Sequence, residues 1–470
     1  MSGPVAQSCF TFLVPRITKN RIIFCLLLVN LVLIFLYSEV KRQSSSLSRP
    51  NPGGYRGGKP EGINTDSSSH APASDALIIN SDIGDPVIFE PYWLKYGIDM
   101  VIPPWHSISY VSSQRQISPF FEDFLIDEII SVHKIVGNAV TKDRHIVIGA
   151  GSIQLLQAAL YALSVNDRSP PLKVVSAYPF YSAYPMVTDF VQSKLYEWAG
   201  DAMDFEATSN RDGYIEIVNY PNNPDGTFRH AVVNGSGGLI HDLAYYWPQY
   251  TPITSPADHD IMLFTLSKFS GHAGSRVGWA IVKDLKVAQL MSKYIFLNTI
   301  GLSRDAQARA AHIMRYVVHH YSQKGSAPYR LKTGPDNTTL LFHHAYDALK
   351  HRWKELRGLV VSGARFTLQD YPLAFCTFFG ETTTSHPAFA WLKCEQDRNC
   401  EELLNSVNVR SRGGHQFGIL DPQYTRISMI LNLKEFTTLH SRLALLNNSS
   451  QTQCEIELTT ERSDWSARYL

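Results

Sequence analysis

The sequence predicts an α/β protein in which a larger domain is built on a mainly parallel, doubly wound sheet and a smaller α+β domain follows. Two observations carry this. Short apolar runs, RHIVIG (144–149), LKVVSA (172–177), YIEIVNY (214–220), GLIHDLA (238–244), IMLFTLS (261–267) and VGWAIV (277–282), recur at distances that leave room for crossovers. Between the first two lies SIQLLQAALYAL (152–163), whose apolar residues return at helical intervals. Strands that are apolar on both faces and alternate with helices belong in a sheet covered on both sides. After about residue 305, helical stretches such as AYDALKHRWKELRGLVV (345–361) alternate with runs such as LAFCTFFG (373–380), and this marks the smaller domain.

Taken in chain order, residues 1–21 form a basic segment that includes Arg16, Lys19 and Arg21. Residues 22–37, IIFCLLLVNLVLIFLY, are shorter than the about 20 residues of a full membrane span and longer than a signal-peptide core. No small-x-small cleavage site follows in SEVKRQSSSLSRP, so a retained signal anchor is the preferred reading over a cleaved signal. The cations before the run place the body of the protein on the non-cytosolic side, and a single-pass protein of the endoplasmic reticulum is expected. Residues 38–80 are a Ser/Pro/Gly-rich tether with too little apolar surface to order itself. The larger domain is expected over 81–305, the smaller over 306–446, and a polar tail over 447–470.

The charge balance, 43 Lys plus Arg against 42 Asp plus Glu, gives no cationic excess to neutralise a phosphate backbone, and nucleic acid is excluded as a partner. Of six cysteines, Cys376, Cys394, Cys400 and Cys454 show no zinc spacing, and Cys9 and Cys25 lie at the amino terminus. No metal is expected. Cys394 and Cys400 are near enough in sequence for a local disulfide, with two free thiols the alternative. Glycosylation sequons begin at Asn234, Asn337, Asn447 and Asn448 and matter only in a lumenal compartment.

Chemistry is expected at the carboxyl ends of the strands, where ligands sit in such sheets. IGAGSIQ places Gly149 and Gly151 where a strand turns into a helix, either a plain tight turn or a phosphate cradle. Gln154 stands where a dinucleotide fold would want another glycine. Asp242 ends an apolar run, and a carboxylate there needs a cation or several donors. IMLFTL runs into Ser267-Lys268, and a lysine at the mouth of a buried strand costs desolvation unless it is paired or used. Arg276 follows in a Gly/Ser-rich loop and suits a forked grip on phosphate. An amine, a phosphate site and a buried acid together are the toolkit for pyridoxal phosphate.

These residues resemble the fold-type I aminotransferase superfamily. GDPVIFEPYW (84–93), AYPFYSAYP (177–185), NYPNNPDG (219–226), HDLAYYWPQY (241–250) and TLSKFSGHAGSRVGWA (265–280) resemble more closely the plant tryptophan aminotransferase-related proteins, relatives of alliin lyase. The resemblance spans about residues 84 to 440. It implies pyridoxal 5'-phosphate as cofactor, with Lys268 joined to its aldehyde and later moving the Cα proton. Asp242 would pair with the pyridine nitrogen, Asn223 and Tyr245 would bond the ring hydroxyl, and Tyr181, preferred over Phe180, would stack on the ring. Thr265, Arg276, Ser152 and the backbone of Gly151 would hold the phosphate, and Tyr110 would reach that of a neighbouring subunit in a homodimer. Arg426 in YTRISMI would bind the substrate carboxylate.

The resemblance further implies amino transfer from L-tryptophan to a 2-oxo acid such as pyruvate, with indole-3-pyruvate formed for auxin synthesis. Trp93, Phe89 and Trp105 are candidates for lining an apolar pocket. One rival is β-elimination of the alliin lyase type. Against it, residues 43–84 contain no cysteine, whereas alliin lyases carry a cysteine-rich module there. The other rival is a membrane-tethered binding protein that kept the fold and lost catalysis, although such a protein has no reason to retain a costly lysine at 268.

Overall fold

The computed structural model describes residues 77–112, 117–165, 170–208, 213–322 and 339–447. The basic segment, the apolar run, nearly all of the tether and the tail beyond 447 lie outside the described residues, as do Cys9, Cys25 and Cys454. Among the described residues, no helix is long and apolar enough to cross a membrane.

The first strands in chain order are β1 (Ile79–Asn80), β2 (His145–Gly149), β3 (Leu172–Ser176), β4 (Tyr196–Asp201), β5 (Tyr214–Asn219), β6 (Gly238–Asp242), β7 (Ile261–Thr265) and β8 (Gly278–Val282). Seven of them form the central sheet in the order β2-β8-β7-β6-β5-β3-β4. Pairings from β4 through β3, β5 and β6 to β7 are parallel, as the alternating pattern predicts. β8 runs antiparallel to both β7 and β2. The segment between β7 and β8 carries only a one-turn helix and a short 3-10 turn, so it reverses the chain where a full helical crossover would keep it parallel. Every residue of β5, β7 and β8 is buried, which is why those runs are largely apolar on both faces; the exception, Glu216 of β5, accepts from the Val232 and Val233 N–H groups at 2.7 and 3.0 Å.

The helix Gly151–Ser164 packs on β7 and β8 and against the helix Leu285–Thr299. On the helix Asp123–Val136, His133 is fully buried and ties three elements together. Its Nδ1 bonds Asn138 Oδ1 at 2.8 Å, and its Nε2 accepts from Trp279 Nε1 of β8 at 2.9 Å. Burial holds its pKa down at about 4, so it is a neutral core histidine.

The remaining strands are β9 (Phe366–Leu368), β10 (Ala374–Cys376), β11 (Glu381–Thr383), β12 (Phe389–Cys394), β13 (Val409–Arg410), β14 (Arg412–Gly413) and β15 (Tyr424–Ser428). β14, β15, β12 and β9 make an antiparallel sheet. The amino-terminal β1 pairs in parallel with β13, so the chain just before the central sheet joins the carboxyl-terminal strands. Cys394 and Cys400 form a disulfide that joins the end of β12 to the start of the helix Cys400–Ser406, which answers the question the sequence left open. Cys376 is free and buried.

Candidate active site

Crossover topology leaves the carboxyl ends of the parallel strands at one edge of the sheet, and the polar residues that end them meet there. Asn219 ends β5, Asp242 ends β6, and these two are register partners. Thr265 ends β7. Its side chain accepts from the N–H of Ser267 at 3.2 Å and so caps the one-turn helix Leu266–Phe269, which lifts Lys268 out of the strand line. A cavity at this edge is lined by Gly84, Ser152, Tyr181, Asn219, Asn223, Asp242, Tyr245, Thr265, Lys268 and Arg276, among others.

Lys268 Nζ donates to the main-chain carbonyl of Gly84 and stands 5.5 Å from the centre of the Tyr245 ring. Burial, with the positive charges of Arg426 and Arg276 acting in the same direction, brings its pKa down to about 7; Asp85 opposes the shift. The shift favours the unprotonated amine that a nucleophile or base requires.

Asp242 is buried, and burial raises its carboxyl pKa. Two donors oppose that shift: the Tyr184 hydroxyl at 2.9 Å and the Ala244 N–H at 3.2 Å. Among the described residues no cationic side chain forms an ion pair with it. A carboxylate buried this way, and facing a cavity, is set to hold a protonated ring nitrogen.

Arg426 is 2% exposed on β15. One guanidinium nitrogen donates to Asn223 Oδ1 at 2.9 Å, another to the main-chain carbonyl of Asp82, and Nε has no partner. Its guanidinium lies 3.9 Å over the Phe389 ring. Asn223 is held in turn, since its N–H donates to Asn219 Oδ1 at 2.7 Å and Asn219 Nδ2 donates to the Asp242 carbonyl at 2.9 Å. Burial, reinforced by the charge of Arg412, brings the pKa of Arg426 down to about 10, still charged at neutral pH. Among the described residues no carboxylate bonds it, so the site holds a buried cation ready for one.

At the opposite wall the helix Gly151–Ser164 points its amino end at the cavity. Gly151 has φ +76°, and a Cβ there would fall 2.7 Å from a terminal nitrogen of Arg276. Gly278 packs on this turn so closely that its own Cβ would fall 2.7 Å from the Gly151 carbonyl carbon. Free N–H groups at a helix start, the Ser152 hydroxyl and Arg276 suit a phosphate group. The Ala150 N–H is taken by Gln154 Oε1 at 2.7 Å, so the residue in place of a dinucleotide-type glycine closes the turn.

Tyr181 lines the cavity and stands edge-on to Tyr184, whereas Phe180 is buried against Trp198. Burial raises the hydroxyl pKa of Tyr245 well above its ordinary value, so it is a neutral donor. Tyr110 is 71% exposed and outside the cavity of its own chain. Of the three candidate pocket aromatics, Phe89 is buried, Trp93 donates Nε1 to the Ser270 carbonyl at 2.8 Å, and Trp105 is exposed. None of the three lines this cavity.

Four residues that sequence reasoning passed over belong to the site: Tyr184, Asn219, and Asp82 and Gly84, whose carbonyls accept from Arg426 and Lys268. Tyr184 lies one helical turn beyond Tyr181 in AYPFYSAYP, a spacing that brings both to one side. Asn219 ends a buried, largely apolar strand, and Asp242 ends its neighbour. Asp82 and Gly84 act through backbone carbonyls, which no side-chain motif reveals.

Comparison with known proteins gives the same placement. The Allinase family model matches residues 79–447. The chain is 48% identical over 382 residues to tryptophan aminotransferase-related protein 2 of Arabidopsis thaliana, covering 80% of this chain and 83% of that protein. It is 46% identical to tryptophan aminotransferase-related protein 1 of Oryza sativa subsp. japonica, with 81% and 86% covered. Alliin lyase 1 of Allium sativum is 36% identical, with 76% and 72% covered. Among solved structures, a methionine aminotransferase of Escherichia coli superposes with a TM-score of 0.55 at 14% identity, over 78% of this chain and 94% of that one. An aspartate aminotransferase variant of Thermus thermophilus gives 0.54 at 14% identity, over 78% and 91%. The fold is therefore that of the fold-type I aminotransferases.

Proposed function

The chain belongs to the alliinase family, and from that membership we propose that it transfers the amino group of L-tryptophan to a 2-oxo acid such as pyruvate. Indole-3-pyruvate is the product, for auxin synthesis. Proteins of this fold and family use pyridoxal 5'-phosphate, and the residues fit it: Asp242 for the ring nitrogen, Gly151, Ser152, Thr265 and Arg276 for the phosphate, Asn223 and Tyr245 for the ring hydroxyl. When bound, that group supplies an electron sink that makes the substrate α-proton acidic.

Everything else is done by this chain. Arg426 holds the substrate carboxylate in a forked grip and so fixes which bond at the α-carbon faces Lys268. Lys268 Nζ, once unprotonated, takes the proton from that carbon and later returns one. Tyr184 keeps Asp242 oriented, and buried Tyr245 and Asn223 hold their donors in place without reorganisation. The observation that carries the reading is the single cavity shared by an amine with pKa about 7, a buried carboxylate and an uncompensated arginine's partner Asn223.

The test is to incubate the protein with tryptophan and pyruvate, and separately with an S-alkyl cysteine sulfoxide. Indole-3-pyruvate and alanine in the first mixture support the reading. Pyruvate and ammonia from the second alone would replace it with β-elimination, the activity named for the alliin lyase relatives, and no turnover of either would favour a binding protein.

We also infer a homodimer. The segment around Tyr110 exposes Ile98, Val101, Trp105, Ile108 and Val111, an apolar surface suited to a second copy, from which Tyr110 would reach the phosphate site. Light scattering that gave a monomer mass for the active enzyme would rule this out.

A further inference from the structure

We propose that Asn234 carries an N-linked oligosaccharide, and that the catalytic body therefore matures in an oxidising, glycosylating compartment. Four sequons are present, and the structure separates two of them. Asn234, Gly235 and Ser236 are all exposed in the loop ahead of β6. The Asn234 N–H and its side-chain amide donate to the Glu206 carboxylate at 2.9 and 3.2 Å, which fixes the loop while the side chain stays accessible. An asparagine amide has two hydrogens. One is engaged by Glu206, and an N-linked asparagine keeps one, so the native hydrogen bond and the modification are compatible.

Asn447 is the contrary case. It is 3% exposed, its Nδ2 donates to the Leu359 carbonyl at 2.7 Å, and its amide packs directly on Gly363. The folded chain has no room for a sugar there. Asn337 and Asn448 lie outside the described residues.

Two further observations bear on the assignment. The first is placement: β6 runs from Gly238, just after the sequon, to Asp242 in the cavity. At about 3.3 Å per residue the strand alone separates them by about 13 Å, so a glycan leaves from the edge of the sheet opposite the site. The second is the buried Cys394–Cys400 disulfide, a bond that reducing compartments do not keep. The modification itself needs a lipid-linked oligosaccharide as co-substrate. The amide nitrogen forms a bond to sugar C1, the C1–oxygen bond to the lipid pyrophosphate breaks, the lipid pyrophosphate leaves, and the amide loses one proton.

The full-length chain purified from plant cells provides the test. Peptide-N-glycosidase should increase its mobility and leave an acid in place of the amide at 234, read by mass spectrometry. Asn234→Gln should lose one glycan and keep kcat/KM, whereas Asn447→Gln should leave mobility unchanged. An unmodified peptide at 234 overturns the proposal, whatever Asn337 and Asn448 carry. So does a glycan on Asn447, which would break the burial argument, and so do alkylated thiols at Cys394 and Cys400 when the protein is denatured without reduction.

Discussion

The main-chain carbonyl of Asp82 accepts a hydrogen bond from Arg426, while the Asp82 carboxylate takes Arg412. Arg412 and Arg426 are direct partners across β14 and β15, so their side chains leave the same face. One acid thus serves two guanidiniums, and Arg412, which also donates to Ser182 Oγ at 2.9 Å beside Tyr181, is masked.

Asp82→Asn should unmask Arg412 as a second anchor for a carboxylate. The expected result is a gain of about tenfold in kcat/KM for a dicarboxylic oxo acid relative to pyruvate, the worth of one charge-assisted hydrogen bond. Steady-state kinetics with 2-oxoglutarate and pyruvate measures the ratio, and adding Arg412→Gln should cancel the gain.

Lys268→Ala should lower kcat by about 10²-fold to 10⁴-fold, the usual contribution of a positioned proton-transfer group. In the ligand-free protein the sign for stability follows from a folded-state pKa of about 7 against an ordinary 10.5. The unfolded chain binds the extra proton between those values, so stability should rise with pH from about 7 to 10.5. Denaturant melts across that range should show a shallower slope for the Ala variant.

Acid should destabilise with the same sign, at lower pH, through the buried histidines. Burial first, then neighbouring charge, holds His241 down at about 3, and burial holds His133 at about 4. The unfolded chain protonates near 6.5 and the folded one does not, so stability falls as pH drops from 6.5 towards 4. His133→Gln should cost stability at pH 7 by breaking the bonds to Asn138 and Trp279, and should flatten the dependence of Tm on pH between 4 and 6.5.

Gly151→Ala and Gly278→Ala separate two kinds of crowding. At 151 the new methyl meets the movable end of Arg276 in a backbone with φ +76°, so the expected cost is about 1 kcal/mol of stability and a weaker hold on phosphate. At 278 it meets backbone atoms of the helix start, which cannot give way. The second variant should show the larger loss in Tm, and titration with pyridoxal phosphate should show weakened binding in both.

The central sheet was legible because β5, β7 and β8 are buried on both faces and are therefore written as largely apolar runs, broken inside β5 only by Glu216. Lys268 and Asp242 were legible for a related reason: each is a charge at the end of a buried strand, where folding alone would not put one; Arg276, which is exposed, was legible from the Gly/Ser-rich loop that carries it. The direction of β8 was not readable, since a buried strand has the same composition either way. Asp82 and Gly84 were hidden because their carbonyls, not their side chains, reach Arg426 and Lys268, 344 and 184 residues further along the chain. The pairing of Cys394 with Cys400 waited on the strand and helix that bring them together.

The short strap from β1 to Gly84 sits ahead of every strand of the central sheet, yet its Asp82 and Gly84 carbonyls serve the two working cations, Arg426 on β15 and Lys268 just after β7. A shortened enzyme begun at Pro86 would keep the whole doubly wound layer and still be miswired, with its amine and its guanidinium each missing an anchor. Anyone trimming the amino terminus of this catalyst has to cut before Ile79.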